Sequence, residues 1–276
     1  MSSIEGDEGD LTRKQRREAA RAERKAMEEA HAANVARRTR LTQLGVVVAV
    51  VVVVIVVVLI ATGGKKSGGL EKSTGGTTPT TTAVSRLLAG IPQSANTLGS
   101  PTAPVTLEYF GDLECPICKE FTLGSLPAVI PKWVRTGKMR IEYRSLETAT
   151  REPEVFKTQQ VAALAAGKQN KAWYFIETFY HEQGEEDSGY VTESYLQGIA
   201  KQVPGLNLTQ WASDRSDGEL AKQVTTDEEA AKTNGFNGTP SFLIGRSGGA
   251  MSKLEFTGAP SDPTFVNTAV EKLLKS

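Results

Sequence analysis

Cys115 and Cys118 are the only cysteines in the 276 residues, and they stand three apart in Phe110-Gly111-Asp112-Leu113-Glu114-Cys115-Pro116-Ile117-Cys118. The apolar run Val105 to Phe110 leads into them. A strand that ends in a short turn, followed by a Cys-x-x-Cys that opens a helix, sets the first sulfur at a helix N-terminus. There, unpaired backbone N–H groups and the macrodipole favour an anion. Cys115 is therefore expected as an exposed thiolate nucleophile, and Cys118, one turn further in, as its partly covered resolving partner. Pro116 and Ile117 supply neither charge nor a side-chain hydrogen bond. Any stabilisation of the thiolate must then come from the backbone N–H groups of Ile117 and Cys118 and from the dipole. A purely structural link over two intervening residues would remove little chain entropy. Structural zinc takes four ligands, and the two histidines, His31 and His181, lie far off in sequence. Neither a metal nor a cofactor is expected.

The elements around the pair follow from periodicity. Val105 to Phe110 is expected as a strand, with a helix from Cys115 to about Arg135 that Pro127 and Pro131 kink or shorten. Met139 to Leu146 alternates, with Met139, Ile141, Tyr143 and Ser145 on one side. A crossover of this length implies parallel pairing of the two strands. From about 153 to 234 the pattern is helical, and Asn234-Gly235 reads as its C-terminal stop. Two strands, Pro240 to Gly245 and Lys253 to Thr257, are joined by a Ser247-Gly248-Gly249 turn. The final helix opens with Asp262 as N-cap and Pro263 at its first position, and buries Phe265 or Val266, Val270, Leu273 and Leu274.

The first hundred residues are not globular in composition. Residues 1–40 form a charged head, ten Lys and Arg lying between Met1 and Gln43. Residues 41–61 carry no charge, and about 20 apolar residues span a bilayer as a helix, so a single transmembrane helix is expected. The basic flank stays in the cytoplasm. That orientation puts the C-terminal part outside the cell, where disulfides persist. Residues 62–97 are expected to be a flexible linker, on their Gly, Ser, Thr and Lys content. From Gly99 to Ser276 there are 18 Lys and Arg against 23 Asp and Glu, a formal charge of −5. With no basic stripe, nucleic acid is a poor candidate partner and none is expected.

Three stretches in order, Leu98-Gly99-Ser100-Pro101-Thr102-Ala103-Pro104-Val105, Glu108-Tyr109-Phe110-Gly111-Asp112 leading into Cys115-Pro116-Ile117-Cys118, and Gly235-Phe236-Asn237-Gly238-Thr239-Pro240-Ser241-Phe242-Leu243-Ile244, resemble the DsbA-like thiol:disulfide interchange proteins. The resemblance covers roughly Leu98 to Leu274. It implies an α/β, thioredoxin-like fold with an inserted all-helical domain at about 153–234, the whole domain occupying 98–276 behind the transmembrane helix. It also implies that Pro240 is cis and faces the disulfide, with the Thr239 backbone free to pair with an extended substrate. Pro116 and Ile117 are expected to touch substrate as well. The best-known oxidases of the family place a His between the cysteines, where this chain has Pro116-Ile117.

Glu108, an acid inside an apolar strand, is either a proton relay to Cys118 with a raised pKa or a solvent-facing edge residue. The leading function is a membrane-tethered thiol:disulfide oxidase that donates disulfides to secreted or envelope protein thiols, recharged by a membrane quinone-linked partner. Two alternatives stand beside it. One is a reductase or isomerase; the other is a non-catalytic module that holds envelope peptides.

Overall fold

The computed structural model describes residues 78–255 and 258–275. The charged head, the expected membrane span and the linker as far as residue 77 lie outside them. Among the described residues no helix is long and apolar enough to cross a membrane.

Residues 79–97, read as part of a flexible linker, hold helix α1 (Pro79–Leu88) and the short strands β1 (Gln93–Ser94) and β2 (Thr97–Leu98). The Thr-Pro run that suggested a tether is a helix start: the Thr78 side chain accepts from the Thr81 N–H at 3.0 Å, and Pro79 occupies the first turn, where its missing N–H costs nothing. Val84 and Leu88 are buried in the main core. Arg135 ties the end of the helix down by donating to the carbonyls of Leu87 and Ala89, both at 2.7 Å.

The sheet runs β1-β2-β4-β3-β5-β6, with β3 Val105–Gly111, β4 Met139–Ser145, β5 Ser241–Arg246 and β6 Met251–Lys253. Only β3 and β4 are parallel, as a helical crossover demands; β3–β5 and β5–β6 are antiparallel. Strand β4 alternates as its sequence does, with Met139, Ile141, Tyr143 and Ser145 buried. Strand β3 is central. Val105, Leu107 and Tyr109 enter the main core, while Phe110 packs with Leu146, Ala231 and Leu243 on the sheet's other face.

The helical path after the cysteines comprises α2 (Pro116–Glu120), a π-helical turn (Phe121–Ser125), α3 (Leu126–Val129) and a second π-helical turn (Ile130–Val134). Leu126 N–H donates to the Phe121 carbonyl and Arg135 N–H to the Ile130 carbonyl. One π-helical turn stands just before Pro127 and the other spans Pro131, so the helical path continues past two residues that lack the N–H a regular helix needs.

Five helices lie between β4 and β5: α4 (Pro153–Gly167), α5 (Ala172–Glu182), α6 (Glu193–Gln202), α7 (Leu208–Asp214) and α8 (Gly218–Thr233). Helix α8 ends at Asn234, and Gly235 follows with φ +65°, a left-handed conformation that glycine adopts without steric cost. Helix α9 (Thr264–Lys275) closes the fold, its Thr264 N–H received by Asp262 Oδ1 at 2.9 Å. It buries Val266 and Val270, while Phe265, Leu273 and Leu274 are only partly covered.

Candidate active site

Cys115 is the N-cap of α2, with extended backbone angles, and its Sγ lies 3.4 Å from the Cys118 N–H donor. Proline at the next position fits because the first turn of a helix has N–H groups to spare. The Cys115 sulfur also lies 3.4 Å from the Thr239 carbonyl oxygen, which brings the start of α2 against the loop before β5. The Thr239–Pro240 peptide is cis and Pro240 is buried.

The two thiols are electrostatically unequal. Cys115 is lowered from 9.0 to about 7, first by a hydrogen bond from the Cys118 thiol, against opposing burial, then by Thr239 and by the backbone N–H groups of Cys118 and Ile117. Cys118 is pushed well above the ordinary thiol range by burial, reinforced by the neighbouring Cys115 sulfur. The backbone contribution from Ile117 and Cys118 is the one the sequence implies. The side-chain bonds from Cys118 and Thr239 were not legible there. Exposure differs from expectation too. Cys115 retains 5 % of its surface and Cys118 none, because the Thr239 loop closes over the pair. Pro116 and Ile117 form the exposed rim, Ile117 at 42 % exposure.

Glu108 is not where a relay to Cys118 would need it. Side chains alternate along β3, and the cysteines share the main core with Val105, Leu107 and Tyr109. Glu108 points to the other face, 3.8 Å from Arg144, which itself reaches Glu142 at 3.3 Å and lies 2.5 Å from Asp227 of α8. Its pKa is raised, by burial first, with Arg144 opposing and Glu142 and Asp227 adding. The raised value belongs to an ion cluster that ties α8 to β4, and a proton relay from Glu108 to Cys118 does not fit that placement.

Residues the sequence did not single out complete the site. The Asp112 carbonyl accepts from Cys115 N–H at 3.1 Å and from Tyr180 Oη at 3.1 Å. Tyr109 Oη lies 3.2 Å from Tyr180 Oη and 3.4 Å from the Cys118 carbonyl. Gln183, just beyond α5, donates to the carbonyls of Leu113 at 2.7 Å and Cys115 at 3.2 Å. The helical insert thereby clamps the turn that carries Cys115. An Asp directly after a strand is a turn signal and could have marked Asp112; nothing local marks Tyr180 or Gln183. Among the described residues no group of three or more His, Cys, Asp or Glu side chains is placed to hold a metal.

A thiol held near neutrality beside a buried second thiol can do dithiol–disulfide exchange, and comparison with known proteins agrees. A family model described as thioredoxin matches residues 93–252. The chain is similar to the probable disulfide bond formation protein D of Bacillus anthracis, 27% identical over 154 residues, covering 53% of this chain and 68% of that protein. It is also similar to disulfide bond formation protein D of Bacillus subtilis, 24% identical over 152 residues, covering 53% and 66%. Among solved structures, oxidised BdbD from Bacillus subtilis matches with TM-score 0.56 and 20% identity over 67% of this chain and 97% of that one. A thioredoxin-like oxidoreductase from Silicibacter pomeroyi matches with TM-score 0.52 and 25% identity, covering 65% and 92%.

Proposed function

Because the chain belongs to this thioredoxin family and is a thiol:disulfide oxidoreductase, we propose that it works as an oxidase, passing a disulfide to the thiols of secreted or envelope proteins. The observation that carries this is the thiolate support at Cys115, about two units below an ordinary thiol. A thiolate stabilised in the reduced form makes the disulfide a better oxidant, by ~30 mV per unit and so by roughly 60 mV here. The names of the Bacillus relatives support the same direction.

In the proposed reaction a substrate thiolate attacks Cys115 Sγ of the disulfide form. The Cys115–Cys118 bond breaks, and Cys118 leaves with the electron pair and takes up a proton, as its raised pKa favours. A second substrate thiolate then attacks the substrate sulfur of the mixed disulfide and releases Cys115 as thiolate. Each cycle reduces the protein by two electrons, which a membrane quinone-linked partner withdraws. Pro116 and Ile117 at the exposed rim, with the Thr239–Pro240 loop that reaches the sulfur through the Thr239 carbonyl, make the surface an extended substrate meets. We place residues 41–61 in the membrane, residues 1–40 in the cytoplasm and the domain outside it, on the charge flanks and span length given above.

One observation favours a second reading. A thiol at about 7 has the value of thioredoxin, a reductant, and lies well above the ~3.5 of the strongest oxidants. Equilibration with glutathione separates the two. A potential above about −200 mV supports disulfide donation, whereas one near −270 mV would make the protein a reductase.

A further inference from the structure

The turn before Cys115 and the loop of Thr239 are more than a hundred residues apart, and a third segment links them. Asp112 is fully buried. Its Oδ2 receives three successive N–H groups, from Thr148 at 3.1 Å, Ala149 at 2.8 Å and Thr150 at 2.9 Å. Its Oδ1 receives the Glu114 N–H at 3.1 Å and the Thr150 hydroxyl at 2.7 Å. Consecutive N–H groups curled round one oxygen form an anion-holding concavity, here filled by the protein's own carboxylate. The segment after β4 is thereby docked against the strand that leads to the nucleophile.

That docking delivers one side chain to the site. Thr148 Oγ1 lies 2.5 Å from Thr239 Oγ1, and either hydroxyl can donate. The Thr239 carbonyl is the oxygen 3.4 Å from Cys115 Sγ. The contacts therefore start at Asp112, three residues before the nucleophile, and return to it through Thr148 and Thr239. We infer that Thr148 is a positioning residue, fixed by Asp112, whose hydroxyl holds Thr239 against the Cys115 sulfur. The Thr239 side chain supports the Cys115 thiolate, so a Thr239 no longer held by Thr148 gives that support less well. Thr148 is exposed and packs nothing in the core, so its side chain can be changed without disturbing the fold.

The inference rests on Cys115 as the attacking thiol, and the test separates the two. Thr148→Val keeps the branched shape and loses the hydroxyl; Thr148→Ser keeps the hydroxyl and loses the methyl. Each purified full-length protein is titrated with iodoacetamide across pH, with the modified sulfur located by mass spectrometry. Each is also equilibrated in the reaction protein dithiol plus glutathione disulfide giving protein disulfide plus two glutathione. In Thr148→Val the Cys115 midpoint rises by about half a unit and the equilibrium moves about threefold toward the protein disulfide, or ~15 mV. Thr148→Ser stays with the parent. A Thr148→Val protein that matches the parent in both measurements, or a Thr148→Ser protein displaced as far as Thr148→Val, overturns the positioning role. Modification of Cys118 ahead of Cys115 in the parent protein overturns the nucleophile assignment instead.

Discussion

Glu177→Gln tests whether the helical insert carries an uncompensated acid. Glu177 lies on α5, one turn from Trp173 and one from Tyr180, and is fully buried. Neither carboxyl oxygen has a hydrogen-bond partner, and burial alone raises its pKa from 4.5 to about 8. In the unfolded chain the same group ionises near 4.3, so at pH 7 folding must take up a proton. The gap of about 2.7 units between pH 7 and that value costs about 4 kcal/mol at about 1.4 kcal/mol per unit. The sign follows from the direction of the shift: a folded value above the unfolded one gives stability that is whole below pH 4.5 and drains as pH rises. The loss is complete above pH 8, where it reaches about 5 kcal/mol. Glutamine has nearly the same size and no proton to acquire. Urea unfolding of the two proteins should therefore give coincident stabilities near pH 4, with the variant ahead by about 4 kcal/mol at pH 7. A difference between them that does not change with pH would refute the account, because it would mean that Glu177 has a partner or a route to water.

Alkylation of Cys115 should rise through a midpoint near pH 7, while Cys118 stays unreactive until far higher pH, as their opposite shifts require. The depressed Cys115 value also stabilises the reduced folded state; this contribution is whole above the unfolded thiol pKa of ~8.5 and is lost as pH falls through 7, which calorimetry of the reduced protein can follow. Glu108→Gln should leave the rate of disulfide exchange unchanged, since Glu108 faces Arg144 rather than the sulfurs; a slowed resolving step in stopped-flow exchange would contradict that placement. Gly124→Ala puts a Cβ 2.5 Å from Ser261 Cβ and 2.8 Å from its Cα. It should cost about 1–3 kcal/mol by overpacking, visible as a lower urea midpoint with no change in the Cys115 midpoint.

What the sequence determined by itself is local. The alternation of β4, the helix start behind Cys115 and the glycine stop after Asn234 are each set by neighbours within a few residues, through side-chain period, N–H supply and φ preference. The thiol pair was legible for the same reason, since a Cys-x-x-Cys at a helix start carries its own electrostatics. The helix at Pro79–Leu88 was legible in principle, from a Thr cap, a Pro and an apolar stripe, but its composition matched a tether more closely. Other features depended on segments far apart in the chain. Which face of β3 holds the cysteines, and so the fate of Glu108, shows only in the tertiary structure, where α8 supplies Asp227 to Arg144 on the opposite face. The covering of Cys115 by Thr239, the clamp by Gln183 and the Asp112 to Thr148 docking each join groups at least 36 residues apart. Hydrogen bonds of that range are selected by the packed fold as a whole, because burying a polar group is tolerable only where folding brings it a partner.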